Sequence, residues 1–222
     1  MALESAMGGR PVLRVLAVGG DDLRLALLPH PATGGGLADL VLARHGSVRV
    51  DIDHVDVPPM PELVSLLRAG ASGVAGAILA DDLDVVVLSL MPHLDCSPPE
   101  LASGITELVA GIRAASGAHV LIANCCTYGA SDDAGANEQM SPLQRLRWFN
   151  LALMELSSEL AISIVDADRR ITELGARRVA PRPFEYSDEG RAALCDEMER
   201  VLADYGYFEA RPLMAQVPRE PA

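Results

Sequence analysis

Residues 84–90 read DVVVLSL, and this stretch decides the fold class of the chain. Its apolar residues follow one another without alternation, which is typical of a strand in a parallel sheet that is covered on both faces. Four further short apolar runs have the same character, at 12–18, 48–55, 119–123 and 161–165. The sequence therefore predicts five strands, of which 84–90 is the clearest.

Amphipathic segments that predict helices separate these runs. They cover 61–67, 98–115, 141–160 and 187–205, and their apolar residues recur at helical spacing. Strands that alternate with helices predict an α/β domain of three layers. In such a domain a five-stranded parallel sheet lies between two layers of helices, and right-handed crossovers join the strands.

The length of the chain, 222 residues, fits a single domain. We expect that domain over 11–208, between a flexible N-terminus at 1–10 and a flexible C-terminal tail at 209–222. No apolar run is long enough to cross a membrane, and 1–10 lack the pattern of a signal peptide. The cysteines form no C-x-x-C pair. Together these features predict a reduced, cytoplasmic location.

The charged residues argue against several classes of function. All 18 basic residues are Arg, so the chain lacks the lysine that pyridoxal enzymes, P-loop proteins and Ser–Lys hydrolases need. The formal net charge of −13 repels phosphates, so neither a nucleic acid nor an anionic membrane is an expected partner. The sequence has no glycine-rich nucleotide-binding motif, and we expect no cofactor.

The four cysteines are Cys96, Cys125, Cys126 and Cys195. One hypothesis makes Cys96 a thiolate nucleophile with His93 as its base. Nucleophile and base usually come from separate segments of a chain, however, rather than from positions three residues apart. Free cysteine is commonly a small buried apolar residue, so we expect the cysteines to be structural.

Ligands of open parallel sheets bind outside the carboxyl ends of the strands. The residues that directly follow the predicted strands are therefore candidates for a functional site. They include Gly20, Asp21 and Asp22 after the first strand, His93 and Asp95 after the third, and Asn124 and Tyr128 after the fourth. The sequence thus predicts a polar site at the edge where these strands end.

Four blocks of this sequence, in order, resemble those of the SGNH/GDSL hydrolase family. VLAVGGDDLRLA at 15–26 resembles the first block, a strand that runs into a G-D-S-L turn, and DVVVLSLMPHLD at 84–95 lies where the G-x-N-D block belongs. The segment 147–169 is similar to the helix and strand before the last block, and FEYSDEG at 184–190 is similar to the last block itself. The resemblance implies a flavodoxin-like sheet and an esterase-like or acyl-transfer ancestry.

The chain departs from that family at the positions that carry its chemistry. Asp22 stands where the resemblance places the nucleophilic serine, and His93 stands at or near the oxyanion-hole asparagine. Glu185 replaces the catalytic histidine, and Arg182 replaces the aspartate that precedes it. The resemblance therefore implies the framework of the family with a degenerate active site, one that lacks the usual Ser-His-Asp triad.

The carboxylates of Asp22 and Glu185 form the first candidate pair. The resemblance implies that they lie close together, so that one of them is protonated, a cation lies between them, or an Arg such as Arg182 neutralises them. Such a pair can act as acid and base, or Asp22 can act as a nucleophile. The alternative interpretation is that Asp21 and Asp22 only cap the helix that begins there.

His93 is the second candidate, because it lies in a loop after a central strand. An imidazole at this position can act as a general base, as a donor to an oxyanion, or as a metal ligand. The alternative interpretation is a surface histidine that is hydrogen-bonded to Asp95.

These observations predict hydrolysis or acyl transfer on a small ester or thioester substrate. The catalytic residues would be Asp22, His93 and Glu185. The substrate-binding residues would be Gly20, Asp21, Asp95, Asn124, Tyr128 and Arg182. Two alternatives stay open: a catalytically inactive protein that binds an acylated ligand or a protein partner, and a metal-dependent enzyme that uses the same crevice. We assign no metal ligand, and the expected partner is a small molecule.

Overall fold

The computed structural model describes residues 11–29, 35–46, 48–70, 72–133, 140–180 and 185–209. The predicted flexible N-terminus lies outside the described residues, and so does the predicted C-terminal tail except for Glu209. Arg182, the candidate neutraliser of the carboxylate pair, also lies outside them.

Five strands run through the described part of the chain and form one sheet. They are β1 (Val12–Gly19), β2 (Arg49–Asp56), β3 (Val85–Ser89), β4 (His119–Ala123) and β5 (Ser163–Val165). All neighbouring strands are parallel, in the order β2-β1-β3-β4-β5. The prediction of five parallel strands is confirmed, and each strand begins and ends within two residues of its predicted position.

Nine helices accompany these strands over the described ranges. They are α1 (Asp21–Leu27), α2 (Leu37–His45), α3 (Met60–Ala69), α4 (Gly73–Ile78), α5 (Pro98–Ala115), α6 (Pro142–Leu160), α7 (Ala167–Glu173), α8 (Ala176–Val179) and α9 (Asp188–Asp204). The four predicted amphipathic helices correspond to α3, α5, α6 and α9. The other helices are short, and a segment of four to nine residues has too few apolar positions to show a helical period.

The helices cover both faces of the sheet. Leu16 and Val18 of β1 face one apolar cluster, which contains residues of α3, α4, α5 and α6. Val15 and Ala17 face a second cluster, which contains residues of α1, α2 and α9. Because side chains alternate along a strand, a central strand that is buried on both faces reads as a continuous apolar run. The three-layer α/β architecture is confirmed.

The two longest helices begin where the sequence supplies caps. At the start of α6, Ser141 Oγ accepts a hydrogen bond of 3.2 Å from the backbone N–H of Gln144, and Gln144 Oε1 accepts one of 3.1 Å from the backbone N–H of Ser141. At the start of α5, Glu100 Oε2 accepts hydrogen bonds of 3.0 Å from the backbone N–H of Ser97 and of 2.6 Å from its hydroxyl. Such caps satisfy backbone donors that the first helical turn leaves without partners.

Within the described residues, no helix is long and apolar enough to span a membrane.

Candidate functional site

Asp22 lies in the first turn of α1, directly after β1, at the carboxyl edge of the sheet. Its Oδ2 accepts a hydrogen bond of 2.5 Å from Ser89 Oγ, which belongs to the last residue of β3. Ser89 Oγ in turn accepts a hydrogen bond of 3.0 Å from the backbone N–H of Met91. Only 1% of Ser89 is exposed. The hydroxyl therefore holds one oxygen of the Asp22 carboxyl in a fixed position.

Gly19 allows this close approach, and Gly20 lies beside it. A Cβ atom at Gly19 would lie 2.7 Å from Ser89 Cβ, which is too short for two carbon atoms. A Cβ atom at Gly20 would lie 3.6 Å from Asp22 Oδ1 and 3.9 Å from Pro92 Cγ. The chain after β3 therefore passes beside the start of α1.

The second oxygen of Asp22 has no partner in the described part of the chain, and Asp22 lines a small cavity. Asp22 Oδ1 is buried and has no hydrogen-bond partner among the described residues. A cavity of about 20 Å³ lies beside Asp22, which is room for one water-sized group. The lining is mostly apolar and consists of Asp22, Leu23, Ala26, Leu27, Ala123, Asn124, Val165, Ala167, Tyr186, Leu194 and Met198.

Burial controls the acidity of both ionisable groups in this lining. It raises the pKa of Asp22 above its ordinary value of 3.8, although the hydrogen bond from Ser89 acts in the opposite direction. Burial also raises the pKa of Tyr186 well above its ordinary value of 10, and the negative charge of Asp22 adds to that effect. The cavity therefore favours the neutral form of both groups.

His93 ends a single 3-10 turn, Met91–His93, that follows β3. Only 3% of the residue is exposed, and Nδ1 has no hydrogen-bond partner in the described part of the chain. Burial lowers the pKa of His93 to about 4, so the imidazole is neutral at pH 7. The alternative of a surface histidine bonded to Asp95 is wrong, because His93 is buried whereas Asp95 is exposed.

Glu185 is exposed, and the next residue, Tyr186, lines the cavity beside Asp22. Ser187 then begins α9 by accepting a hydrogen bond of 3.2 Å from the backbone N–H of Gly190. In the segment that resembles the last family block, the tyrosine is therefore the residue that shares a cavity with Asp22. That Asp22, His93 and Glu185 share one pocket stays a prediction.

Asn124 is the predicted substrate-binding residue that lines this cavity. Its Nδ2 donates a hydrogen bond of 2.8 Å to Asp166, and its Oδ1 accepts one of 3.0 Å from the backbone N–H of Asp168. Asp166 also caps α7 by accepting a hydrogen bond of 3.1 Å from the backbone N–H of Arg169. These contacts tie the end of β4 to α7 and leave one N–H of the amide for another acceptor.

The other predicted binding residues lie nearer the surface. Gly20 precedes the first turn of α1, and Asp21 in that turn is exposed and accepts a hydrogen bond of 2.9 Å from Arg24 Nε. Tyr128 is 38% exposed. The two adjacent aspartates at the start of α1 thus differ: Asp21 is paired at the surface, whereas Asp22 faces the interior.

Ser89 and Tyr186 are the residues that sequence reasoning missed as parts of this site. Ser89 is the one hydroxyl in the strand DVVVLSL, and a polar residue at the end of a buried run is a signal that could have found it. Tyr186 directly follows the glutamate at the position that the family resemblance assigns to histidine. Its ring faces inward, and the periodicity of so short a segment does not predict that orientation.

A larger open groove lies between Asn124, which follows β4, and residues of α6, β5, α7 and α9. Its volume is about 730 Å³, within the range of small-molecule sites. It is lined by Asn124, Asn150, Met154, Ile164, Asp166, Asp168, Arg169, Thr172, Glu173 and Arg200. Asn124 therefore belongs to the walls of both the small cavity and the groove.

All four cysteines are buried. Burial raises the pKa of each thiol, for Cys195 to about 12, which disfavours the reactive thiolate. This agrees with structural roles. Across the described ranges, no group of three or more His, Cys, Asp or Glu side chains is arranged to hold a metal ion.

Comparison with known proteins identifies the architecture. No protein-family model matches the chain, and no curated protein matches it. Among solved structures, a protein assigned as an SGNH hydrolase from Slackia heliotrinireducens is 17% identical with a TM-score of 0.58, over 86% of this chain and 99% of that one. A catalytic mutant of an acetylxylan esterase from Geobacillus stearothermophilus is 13% identical with a TM-score of 0.60, over 85% and 93% of the two chains.

A third structure, assigned as a GDSL-like lipase from Parabacteroides merdae, is 10% identical with a TM-score of 0.61, over 87% of this chain and 97% of that one. Identities this low establish the architecture rather than the chemistry. The similarity nevertheless extends over nearly the full length of all three proteins. The chain therefore has the fold of the SGNH/GDSL hydrolases, as the resemblance of its sequence blocks predicted.

Proposed function

We propose that the chain hydrolyses, or transfers the acyl group of, a small ester or thioester, with Asp22 as the acid/base where SGNH hydrolases have a serine. One observation carries the proposal: Asp22 Oδ1 is buried without a partner among the described residues, and Asp22 lines a cavity at the carboxyl edge of the sheet. Ligands of parallel α/β folds bind at this edge.

The environment of Asp22 favours proton transfer over direct attack. A buried carboxyl with a raised pKa is a weak nucleophile, but its pKa lies closer to working pH than that of a free aspartate. In hydrolysis, the ionised form of Asp22 takes a proton through Oδ1 from a water molecule as that water adds to the acyl carbonyl. The same carboxyl then returns the proton to the leaving alcohol or thiol, so that the residue ends the cycle as it began. In acyl transfer, an acceptor hydroxyl replaces the water.

Neutral donors are available to stabilise the oxyanion that this attack creates. Asn124 and Tyr186 line the cavity, and Tyr186 keeps its proton because burial raises its pKa. His93 is neutral at pH 7 and can donate one N–H to an oxyanion in place of the family's asparagine. Glu185, which precedes Tyr186, is assigned to assist departure of the leaving group.

The second candidate function is binding of an acylated ligand without turnover. The size and lining of the cavity favour it, because about 20 Å³ between mostly apolar side chains accepts a group no larger than a methyl or a water. A protonated Asp22 would then donate a hydrogen bond to the ligand carbonyl and undergo no chemical change.

Paired variants at the adjacent aspartates test the proposal. We would measure kcat/KM for Asp22→Asn and Asp21→Asn on a panel of acetyl and propionyl esters and thioesters. General acid/base catalysis contributes about 100-fold or more, so Asp22→Asn should lose at least that much activity. Asp21→Asn should retain activity, because Asp21 is paired with Arg24 at the surface.

Equal turnover by Asp22→Asn and Asp21→Asn would show that Asp22 is not a catalytic residue. Absence of turnover by the wild type on the whole panel, with calorimetric binding of an acyl ligand that Asp22→Asn weakens, would favour the binding function. Circular dichroism of both variants checks that folding is intact.

A further inference from the structure

The side of α6 that points away from the core carries large apolar residues that stay mostly exposed in the described chain. Leu151 and Met154 are each 62% exposed, which makes them the most exposed large apolar side chains of the described residues. Exposure of large apolar side chains to water is unfavourable, and adjacent exposed ones commonly mark an interaction surface. We call this side of the helix the α6 outer face. It consists of Gln144, Arg147, Trp148, Leu151, Met154, Glu155 and Ser158. Trp148, at its border, is half-buried and packs partly against the core.

The geometry of the α6 outer face is symmetric about Leu151. With 3.6 residues per turn, its seven residues cover an arc of about 120° centred on Leu151. The buried residues Leu146, Phe149, Leu153 and Leu156 lie on the opposite side of the helix. Leu151 is also the midpoint of the 19-residue helix Pro142–Leu160. A two-fold axis that passes beside Leu151 would therefore bring two such helices together antiparallel over their full length.

The charges of the face fit a second copy of the same chain. The chain carries a net charge of −13, so most of its surface repels another copy. The α6 outer face carries one Arg and one Glu and is neutral. Neither Arg147 nor Glu155 has an ion-pair partner within the described ranges.

In an antiparallel pair, residues that are equally far from Leu151 on either side come level with each other. Arg147 and Glu155 are each four positions from Leu151, so Arg147 of each copy is level with Glu155 of the other. Trp148 and Met154 are each three positions away, so each apolar side chain is level with another one. The face is therefore complementary to itself in both charge and apolar character.

We propose that the chain forms a symmetric homodimer through the α6 outer face. This inference is independent of the proposed enzymatic function. The contact of two helices of this length falls at the small end of stable interfaces, so the dimer should dissociate on dilution. Met154 also lines the groove beside Asn124, and the second copy would therefore border that groove.

Charge reversal tests the pairing directly. We would measure the mass of the full chain at about 100 µM, a concentration at which micromolar affinity is saturated, by size exclusion with light scattering. The wild type should have twice the 23.5 kDa of one chain. Leu151→Glu, Arg147→Glu and Glu155→Arg should each be monomeric, whereas Leu42→Glu, at an exposed leucine of α2, should stay dimeric.

The decisive measurement mixes two of the monomeric variants. An equimolar mixture of Arg147→Glu and Glu155→Arg places opposite charges at both levels of the pair, so it should regain the dimer mass. A monomeric wild type, or a Leu151→Glu variant that remains dimeric, would overturn the proposal. So would a mixture that stays monomeric although each variant gives the circular dichroism spectrum of the wild type.

Discussion

Ser89 donates its hydroxyl hydrogen to Asp22 Oδ2 over 2.5 Å, across the junction between β3 and α1. The same oxygen of Ser89 accepts the backbone N–H of Met91, so the hydroxyl is engaged both as donor and as acceptor. Ser89 is also buried and is not among the residues that line the cavity beside Asp22. The serine beside Asp22 is therefore a positioning residue, and the carboxyl oxygen left without a partner among the described residues is Asp22 Oδ1.

Replacement of Ser89 by Ala should destabilise the fold by about 1–3 kcal/mol, because it leaves Asp22 Oδ2 and the N–H of Met91 without their partner. It should also raise the pKa of Asp22 further, since the hydrogen bond that opposes burial is lost. Urea unfolding measures the first effect. Ser158→Ala, at an exposed position of α6, is the control and should change stability little. Equal stability of the two variants would contradict the assignment.

The carboxyl of Asp22 should make stability depend on pH in one direction. Its folded-state pKa is raised, so its contribution to stability is fully present below its ordinary pKa of 3.8 and is lost as pH rises through the folded-state value. Asp22→Asn does not titrate and can still accept the hydrogen bond from Ser89. Relative to the wild type, this variant should therefore become more stable as pH rises from about 4 towards 8.

Urea midpoints at several pH values measure that difference, with Asp21→Asn as the control. A constant difference between wild type and Asp22→Asn over this range would show that the folded-state pKa of Asp22 is not raised.

The strands could be predicted from the sequence because burial on both faces of the sheet requires a continuous run of apolar residues. In 84–90 nearly every residue is apolar, and β3 lies in the middle of the sheet. Long helices such as α5 and α6 could be predicted as well, because they repeat an apolar period and carry caps. Short helices such as α2 and α7 show no such apolar period in their sequence. Packing against β2 and α9 stabilises them instead.

The site could be predicted only in part. The sequence indicates which residues follow the strands, but it does not indicate which of their side chains are buried. The position of Asp22 after β1 follows from strand order, and its place at the edge of the sheet follows from the rule for parallel sheets. The burial of His93 could not be predicted, because a histidine between prolines in a loop has the sequence context of a surface residue. Likewise, Asp21 and Asp22 are identical in type, and only the orientation of α1 places one at the surface and the other against the cavity.

His93 should make stability fall on acidification. Its folded-state pKa is about 4 against an ordinary value of 6.5, so its contribution is fully present above pH 6.5 and is lost as pH falls towards 4. The shift corresponds to about 3 kcal/mol over that interval. Between pH 6.5 and 4, the free energy of unfolding of His93→Gln should therefore fall by about 3 kcal/mol less than that of the wild type. This holds whatever the effect of the substitution at neutral pH. A wild-type imidazole that titrates near 6.5 by NMR would contradict this prediction.

Gly19 should be intolerant of even a methyl group, because the methyl would meet Ser89. A Cβ atom there lies 2.7 Å from Ser89 Cβ and 3.3 Å from Leu23 Cδ1, so Gly19→Ala must push β1 away from β3 or displace the serine that holds Asp22. Overpacking of this kind costs about 1–3 kcal/mol. Gly111→Ala is the matched control: in α5 its Cβ would lie an ordinary 3.5 Å from Leu79, and alanine should stabilise the helix by about 0.5–1 kcal/mol.

A double variant separates this contact from a general effect of alanine at the end of β1. Ser89→Gly removes the Cβ atom that Gly19→Ala would strike, so the cost of Gly19→Ala should fall by more than about 0.5 kcal/mol in the Ser89→Gly background. Urea unfolding of the four proteins of this cycle gives the coupling free energy. If the two substitutions are additive, the contact between positions 19 and 89 is not what makes glycine necessary. If they are coupled as expected, the approach of β1 to β3 is the feature that brings Ser89 within hydrogen-bond distance of Asp22.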